Sequence, residues 1–102
     1  MGTSLFDQYT YLHFAAGIVM YFWGFSFEWT LVLHILFEIL ENTSLGMTFI
    51  NQYITAWPGG KPYADSFINI VGDTVGAVVG WYSAKLIDEM GARRGWYEPH
   101  LA

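Results

Sequence analysis

The stretch 9–27 carries no Asp, Glu, Lys or Arg. As a helix it reaches about 28 Å at 1.5 Å per residue, close to a hydrocarbon core of about 30 Å. Tyr9, Tyr11, Tyr21, Phe22, Trp23, Phe25 and Phe27 crowd its two ends, where a membrane belt places aromatics. Gly24, Ser26 and Glu28 leave room for a short turn only. A second, shorter apolar run follows over 29–43, with His34, Glu38 and Glu41 set into it. A third covers 64–87 and is interrupted by Asn69 and Asp73. These runs predict an all-α, integral membrane fold: three transmembrane helices over about 9–27, 29–43 and 64–87, in a single domain 1–102.

Between the second and third runs, Met47, Ile50, Ile54 and Trp57 repeat at helical spacing opposite Thr48, Asn51, Gln52 and Thr55. The segment 45–57 is too short to span and reads as an interfacial or re-entrant helix. Pro58, Gly59, Gly60, Lys61 and Pro62 break the chain after it. The charged tail 88–102 suits headgroup level, and the lone His100 and the Asp88–Glu89 pair read as solvated.

Composition agrees with an apolar environment. The chain is 54% hydrophobic and only 13% charged, against about 25% in an average soluble domain. A net charge of −5 argues against nucleic acid, which asks for clustered Lys and Arg. The absence of Cys removes disulfides and thiolate chemistry. No basic n-region precedes the first apolar run, so the N-terminus does not read as a signal peptide. Three crossings would put Lys61 on one side and Lys85, Arg93 and Arg94 on the other, favouring a cytoplasmic C-terminus.

Residues three, four and seven apart share a helix face. His34, Glu38 and Glu41 therefore form one stripe, with Asn42 at its edge. Asp65, Asn69, Gly72, Asp73, Gly76 and Gly80 form a second, extended by Ser83. Tyr9, His13, Ala16, Met20 and Gly24 form a third. Gly72, Gly76 and Gly80 make a small-residue ladder for close helix packing, so the carboxylates on that face point inward. Antiparallel pairing sets Glu41 level with Asp65, Glu38 with Asn69 and His13, and His34 with Asp73, all in one layer.

Two chemistries fit that layer. Hydrogen-bonded glue between helices explains Asn69 and His34. Four carboxylates together require protonation, water or a cation. His13, His34, Glu38, Glu41, Asp65, Asn69 and Asp73 are thus candidate ligands of a divalent cation, with Zn, Mn or Fe suited to imidazole and carboxylate, Mg or Ca to carboxylate and Asn. No organic cofactor site is expected. An enzyme working on lipid headgroups would use His13, Glu38, Glu41, Asp65 and Asp73 as acid/base groups or ligands.

Glu38-x-x-Glu41-Asn42 and Asp65-Ser66-x-x-Asn69-x-x-x-Asp73 resemble the motifs of a family of small bacterial inner-membrane proteins. Leu12-His13-Phe14, with Asp65, Asn69, Gly72 and Gly76, is more distantly similar to the VanZ-like membrane proteins of glycopeptide resistance. In that family the acidic residue lies closer to its His than Asp7 does to His13, and a fourth helix is usual. A looser similarity is to short membrane proteins of large algal DNA viruses. These resemblances imply a membrane setting and no established reaction. The reading favoured over the enzyme is a structural or accessory subunit, packed against lipid and other membrane subunits or copies of itself.

Overall fold

The computed structural model describes residues 3–56 and 63–100. The described residues form four helices: α1 (Thr10–Phe22), α2 (Phe27–Glu41), α3 (Ser44–Tyr53) and α4 (Phe67–Arg93). The all-helical class agrees with the sequence reading. The three transmembrane spans do not, because no helix among the described residues is long and apolar enough to cross a membrane.

Local chemistry at the helix ends explains the difference. The first apolar run is cut short by a turn inside it. Gly24, at φ 90°, takes a left-handed conformation that a Cβ disfavours. Gly24 N–H donates to Tyr21 O and Phe25 N–H to Met20 O, a Schellman closure. Ser26 then caps α2 by accepting from Trp29 N–H at 3.2 Å. What reads as one 9–27 span is a helix of 13 residues, about 20 Å long, plus a turn and the start of the next helix. The α2 helix has 15 residues and includes Glu28, Glu38 and Glu41. Only α4, at 27 residues, has the length, and Asn69, Asp73 and its glycines dilute the apolar half while Lys85, Asp88, Glu89 and Arg93 charge the rest. It runs on as far as Arg93, into the first part of what the sequence assigns to the tail. The interfacial or re-entrant segment is a ten-residue helix, and Trp57 and the Pro58 to Pro62 break lie outside the described residues.

α4 is the spine of the molecule. α1 packs along it extensively and α2 to a lesser extent, while α1 and α2 scarcely meet. The buried positions of α4 (Asn69, Gly72, Asp73, Gly76, Ala77, Gly80, Trp81, Ala84, Asp88, Gly91) repeat every three or four residues and form one stripe. A Cβ at Gly72 would run into Leu5 O, at Gly76 into Thr10 Cγ2 at 3.0 Å, and at Gly80 into Phe14 O. The Gly72, Gly76 and Gly80 ladder thus lies against the N-terminal segment and α1, whose own Gly17 abuts the Ala77 carbonyl.

Aromatics divide between two environments. Tyr21 and Trp81 form the small core with Ala84, Phe27 packing beside them, their rings edge to face at 5.5 Å for Tyr21–Trp81. Indole Nε1–H of Trp81 donates to Phe25 O at 3.0 Å, so the Gly24 turn is anchored to α4. Tyr21 and Phe27, expected in an outer belt, instead help hold helices together. Tyr11, Trp23, Trp29, Tyr53 and Phe67 remain largely exposed.

Candidate functional site: a histidine and carboxylate layer beside a cleft

Three elements supply the layer. His13 comes from the first turns of α1, His34, Glu38 and Glu41 from the second half of α2, and Asn69 and Asp73 from the first turns of α4. Asp65 lies just before α4, where Ser66 caps the helix by accepting from Asn69 N–H at 3.2 Å. Because α2 runs antiparallel to α1 and α4, these positions come level.

His13 sits at the centre. Its Nε2 lies 3.2 Å from Asp73 Oδ2 and its Nδ1 3.5 Å from Glu38 Oε1. Nε2 of His34 is 3.7 Å from the same Glu38 oxygen, and the two imidazoles meet edge to face at 5.2 Å. Asn42 ties the other end together, donating to Glu38 Oε2 at 3.3 Å and accepting from Asp65 N–H at 2.7 Å. Asn69 Nδ2 donates to Ser4 O at 2.7 Å and Asp7 Oδ2 at 3.2 Å, fastening the N-terminal segment over the layer. Two sets of groups, His13–His34–Glu38 and Glu38–Glu41–Asp65, have side-chain atoms close enough to hold a metal ion. Asp73 belongs to neither set, and Asn69 serves as the anchor of the N-terminal segment.

Burial is deep. Glu38, Asn69 and Asp73 are 2%, 2% and 3% exposed, and Asp73 Oδ1 is buried with no hydrogen-bond partner among the described residues. Such an oxygen ordinarily costs about 1–3 kcal/mol unless something completes its bonding.

The two histidines titrate in opposite directions. Burial pulls His13 down, but the bond to Asp73 and the charges of Asp73, Glu38 and Glu41 outweigh it, so its pKa is raised. Burial, followed by the charge of His13, depresses His34 to about 4 against a smaller upward pull from Asp73. His34 is therefore neutral at pH 7. Its Nε2 lies 3.1 Å from Thr74 Oγ1, and the Thr74 hydroxyl proton is directed to Ile70 O at 2.9 Å. Thr74 consequently accepts from His34, fixing the Nε2–H tautomer.

A cleft of about 600 Å³ opens beside this layer. It exists because α1 and α2 each lean on α4 and leave a gap between themselves. Asp7, Glu41, Asp65 and Asn69 line its polar end, His13, His34 and Asp73 its middle, and Ala16, Met20, Trp23, Leu33 and Ala77 the apolar remainder.

Sequence spacing missed Asp7, Thr74 and a second buried polar cluster. Asp7 lies outside the helical periods and enters through its turn, where its Oδ1 accepts from Tyr9 N–H at 2.9 Å. At the far end of α4, Asp88, 5% exposed, accepts from Tyr21 OH at 2.7 Å and from His100 N–H at 3.1 Å. His100 Nε2 lies 2.6 Å from Phe22 O. Asp88 and His100, which read as solvated tail, instead pin the chain beyond α4 to the end of α1. The signal available was the i, i+4 continuation of the buried stripe from Ala84 to Asp88. Burial and the Asp88 bond push the Tyr21 phenol up to about 12. Asp88→Ala strands the Tyr21 hydroxyl as a buried donor and is expected to cost about 1–3 kcal/mol. Chemical denaturation would measure it, and an unchanged midpoint would contradict this account.

No known protein family, curated protein or solved structure matches the chain.

Proposed function

We propose that the chain is an accessory subunit of a larger membrane-associated assembly and that its histidine–carboxylate layer holds a divalent cation. The observation carrying the reading is the convergence of His13 from α1 with His34 and Glu38 from α2, their ligand atoms close enough to share one ion. Distances support it. Separations of 3.5 and 3.7 Å from Glu38 Oε1 to the two imidazoles exceed those of good N–H···O hydrogen bonds, about 2.7–3.2 Å. Ligand atoms sharing one tetrahedral ion at about 2.0–2.2 Å stand roughly 3.4 Å apart. Imidazole with carboxylate suits Zn²⁺, Mn²⁺ or Fe²⁺. An ion taking His34 Nε2 shifts that ring's proton to Nδ1, whereas an ion taking His13 displaces the extra proton that its raised pKa retains, so loading releases protons and weakens in acid. The many exposed apolar side chains, Leu45 at 82% and Phe67 at 80% among them, support the assembly half of the reading, because exposed apolar patches mark surfaces that are covered in use.

Calorimetric titration of the full chain with Zn²⁺ and Mn²⁺ tests the cation. Saturable binding with proton release is expected, weakened by at least roughly tenfold in Glu38→Gln, since an amide keeps the shape but not the charge of a ligand. Wild-type protein that binds neither ion, or a folded Glu38→Gln that binds as well as wild type, would leave the layer as hydrogen-bonded glue.

A further inference from the structure

We propose that the cleft between α1 and α2 binds a single-chain amphiphile with a protonated amine head, the ammonium donating to Asp73 Oδ1 and the tail lying along Ala16, Met20 and Leu33. The proposal rests on reading the polar layer as a cation site and names a second, organic cation it admits. Two buried side-chain atoms lining the cleft, Asp73 Oδ1 and Thr30 Oγ1, have no hydrogen-bond partner among the described residues. Asp73 and Thr30 are 3% and 4% exposed, so the walls are built around polar atoms that the described residues leave unanswered. A carboxylate oxygen can only accept, so the missing group is a donor.

The remaining walls give the ligand its shape. One end of the cleft carries the Asp7, Glu41 and Asp65 carboxylates, and the other carries Ala16, Met20, Trp23, Leu33 and Ala77. Acidic groups repel a carboxylate or phosphate head and favour an ammonium. A volume of about 600 Å³ falls within the range of ligand pockets, about 300–1,000 Å³. From His13 to Trp23 the α1 backbone advances about 15 Å at 1.5 Å per residue, the length of roughly a twelve-carbon chain. Asp73 turns its Oδ2 to His13 and keeps Oδ1 for the ligand, so the head is held without breaking the existing pair.

Calorimetry on the full chain with dodecylamine, dodecanol and dodecanoate, each below its micelle concentration, tests this. Dodecylamine is expected to bind saturably and at least roughly tenfold more tightly than the other two. Ala16→Trp, at an exposed position on the apolar wall, should fill the cleft and abolish dodecylamine binding while Zn²⁺ binding persists. Equal affinity for all three amphiphiles would mean apolar partition and would overturn the proposal, as would an Ala16→Trp protein that binds dodecylamine like wild type. If Zn²⁺ binds and dodecylamine does not, the amphiphile alone is refuted. If neither binds, the cation reading falls with it.

Discussion

Gly80→Leu is expected to drive α1 off α4 and abolish cooperative unfolding, while Val75→Leu leaves the protein as it was. At Gly80 any Cβ would run into the backbone carbonyl of Phe14, and the Phe14 carbonyl carbon would be 2.9 Å away. A carbonyl cannot swing aside as the end of a side chain can, so relief requires moving one helix bodily. Overpacking a core ordinarily costs about 1–3 kcal/mol and occasionally more. Here the displacement spreads to Gly17 against Ala77 O and Gly72 against Leu5 O, which share the same seam. Small domains hold roughly 5–15 kcal/mol in total, so the loss of this contact is a loss of the fold. Val75 is 41% exposed and has room for another methylene. Near-ultraviolet circular dichroism through a thermal melt distinguishes the two variants. Identical melts would mean that the glycine seam is not what joins α1 to α4.

In metal-free protein, His13→Leu is expected to destabilise the fold by about 3–5 kcal/mol in mild acid, the usual effect of removing one partner of a buried pair. The imidazole stands between Asp73 and Glu38, both nearly fully buried, and leucine leaves their charges facing each other. The pH dependence has a definite sign. A histidine whose folded pKa is raised contributes stability that is fully present below its unfolded value of 6.5 and is lost as pH rises through the folded value. The difference between wild type and His13→Leu should therefore be larger at pH 5.5 than at pH 9. His34, depressed to about 4 by burial and then by the His13 charge, acts oppositely as pH falls from 6.5 toward 4, and it does so less in His13→Leu, which offsets part of the difference. Denaturant midpoints at the two pH values give the comparison, and a pH-independent difference would show that His13 is held there as a neutral group.

The helix faces were legible because burial on a helix follows a period that any spacing rule detects. His34, Glu38 and Glu41 on one element, and Asn69, Gly72, Asp73, Gly76 and Gly80 on another, needed only the 3.6-residue repeat. Helix lengths were less legible, because an uncharged run does not show where its backbone turns. Gly24 and Ser26 carry that information in backbone conformation and in a side-chain cap, and both sit inside a stretch that hydropathy treats as continuous. Asp88 was misread for a related reason. Neighbouring Lys85 and Glu89 do form an exposed pair at 3.5 Å, and Asp88 is set apart from them by its i, i+4 step from buried Ala84 and by Tyr21 across the seam. Asp7 and Thr74 depend on a turn and on a tautomer, neither of which leaves a periodic trace.

The pairing of α1 with α4 rather than with its neighbour α2 also sets the order in which this chain can assemble. The bonds that join the two ends of the structure link Tyr21 to Asp88 and Asn69 to Ser4, so each closes a loop spanning most of the chain. Contacts of such wide separation form slowly, because the entropy of closure is lost before any contact rewards it. At about 5–20 residues per second of synthesis, several seconds pass after α1 is made before the glycine face of α4 exists to receive it. Until then the face of α1 that packs on α4 has no docking surface, and it stays uncovered while the first half of the chain is made.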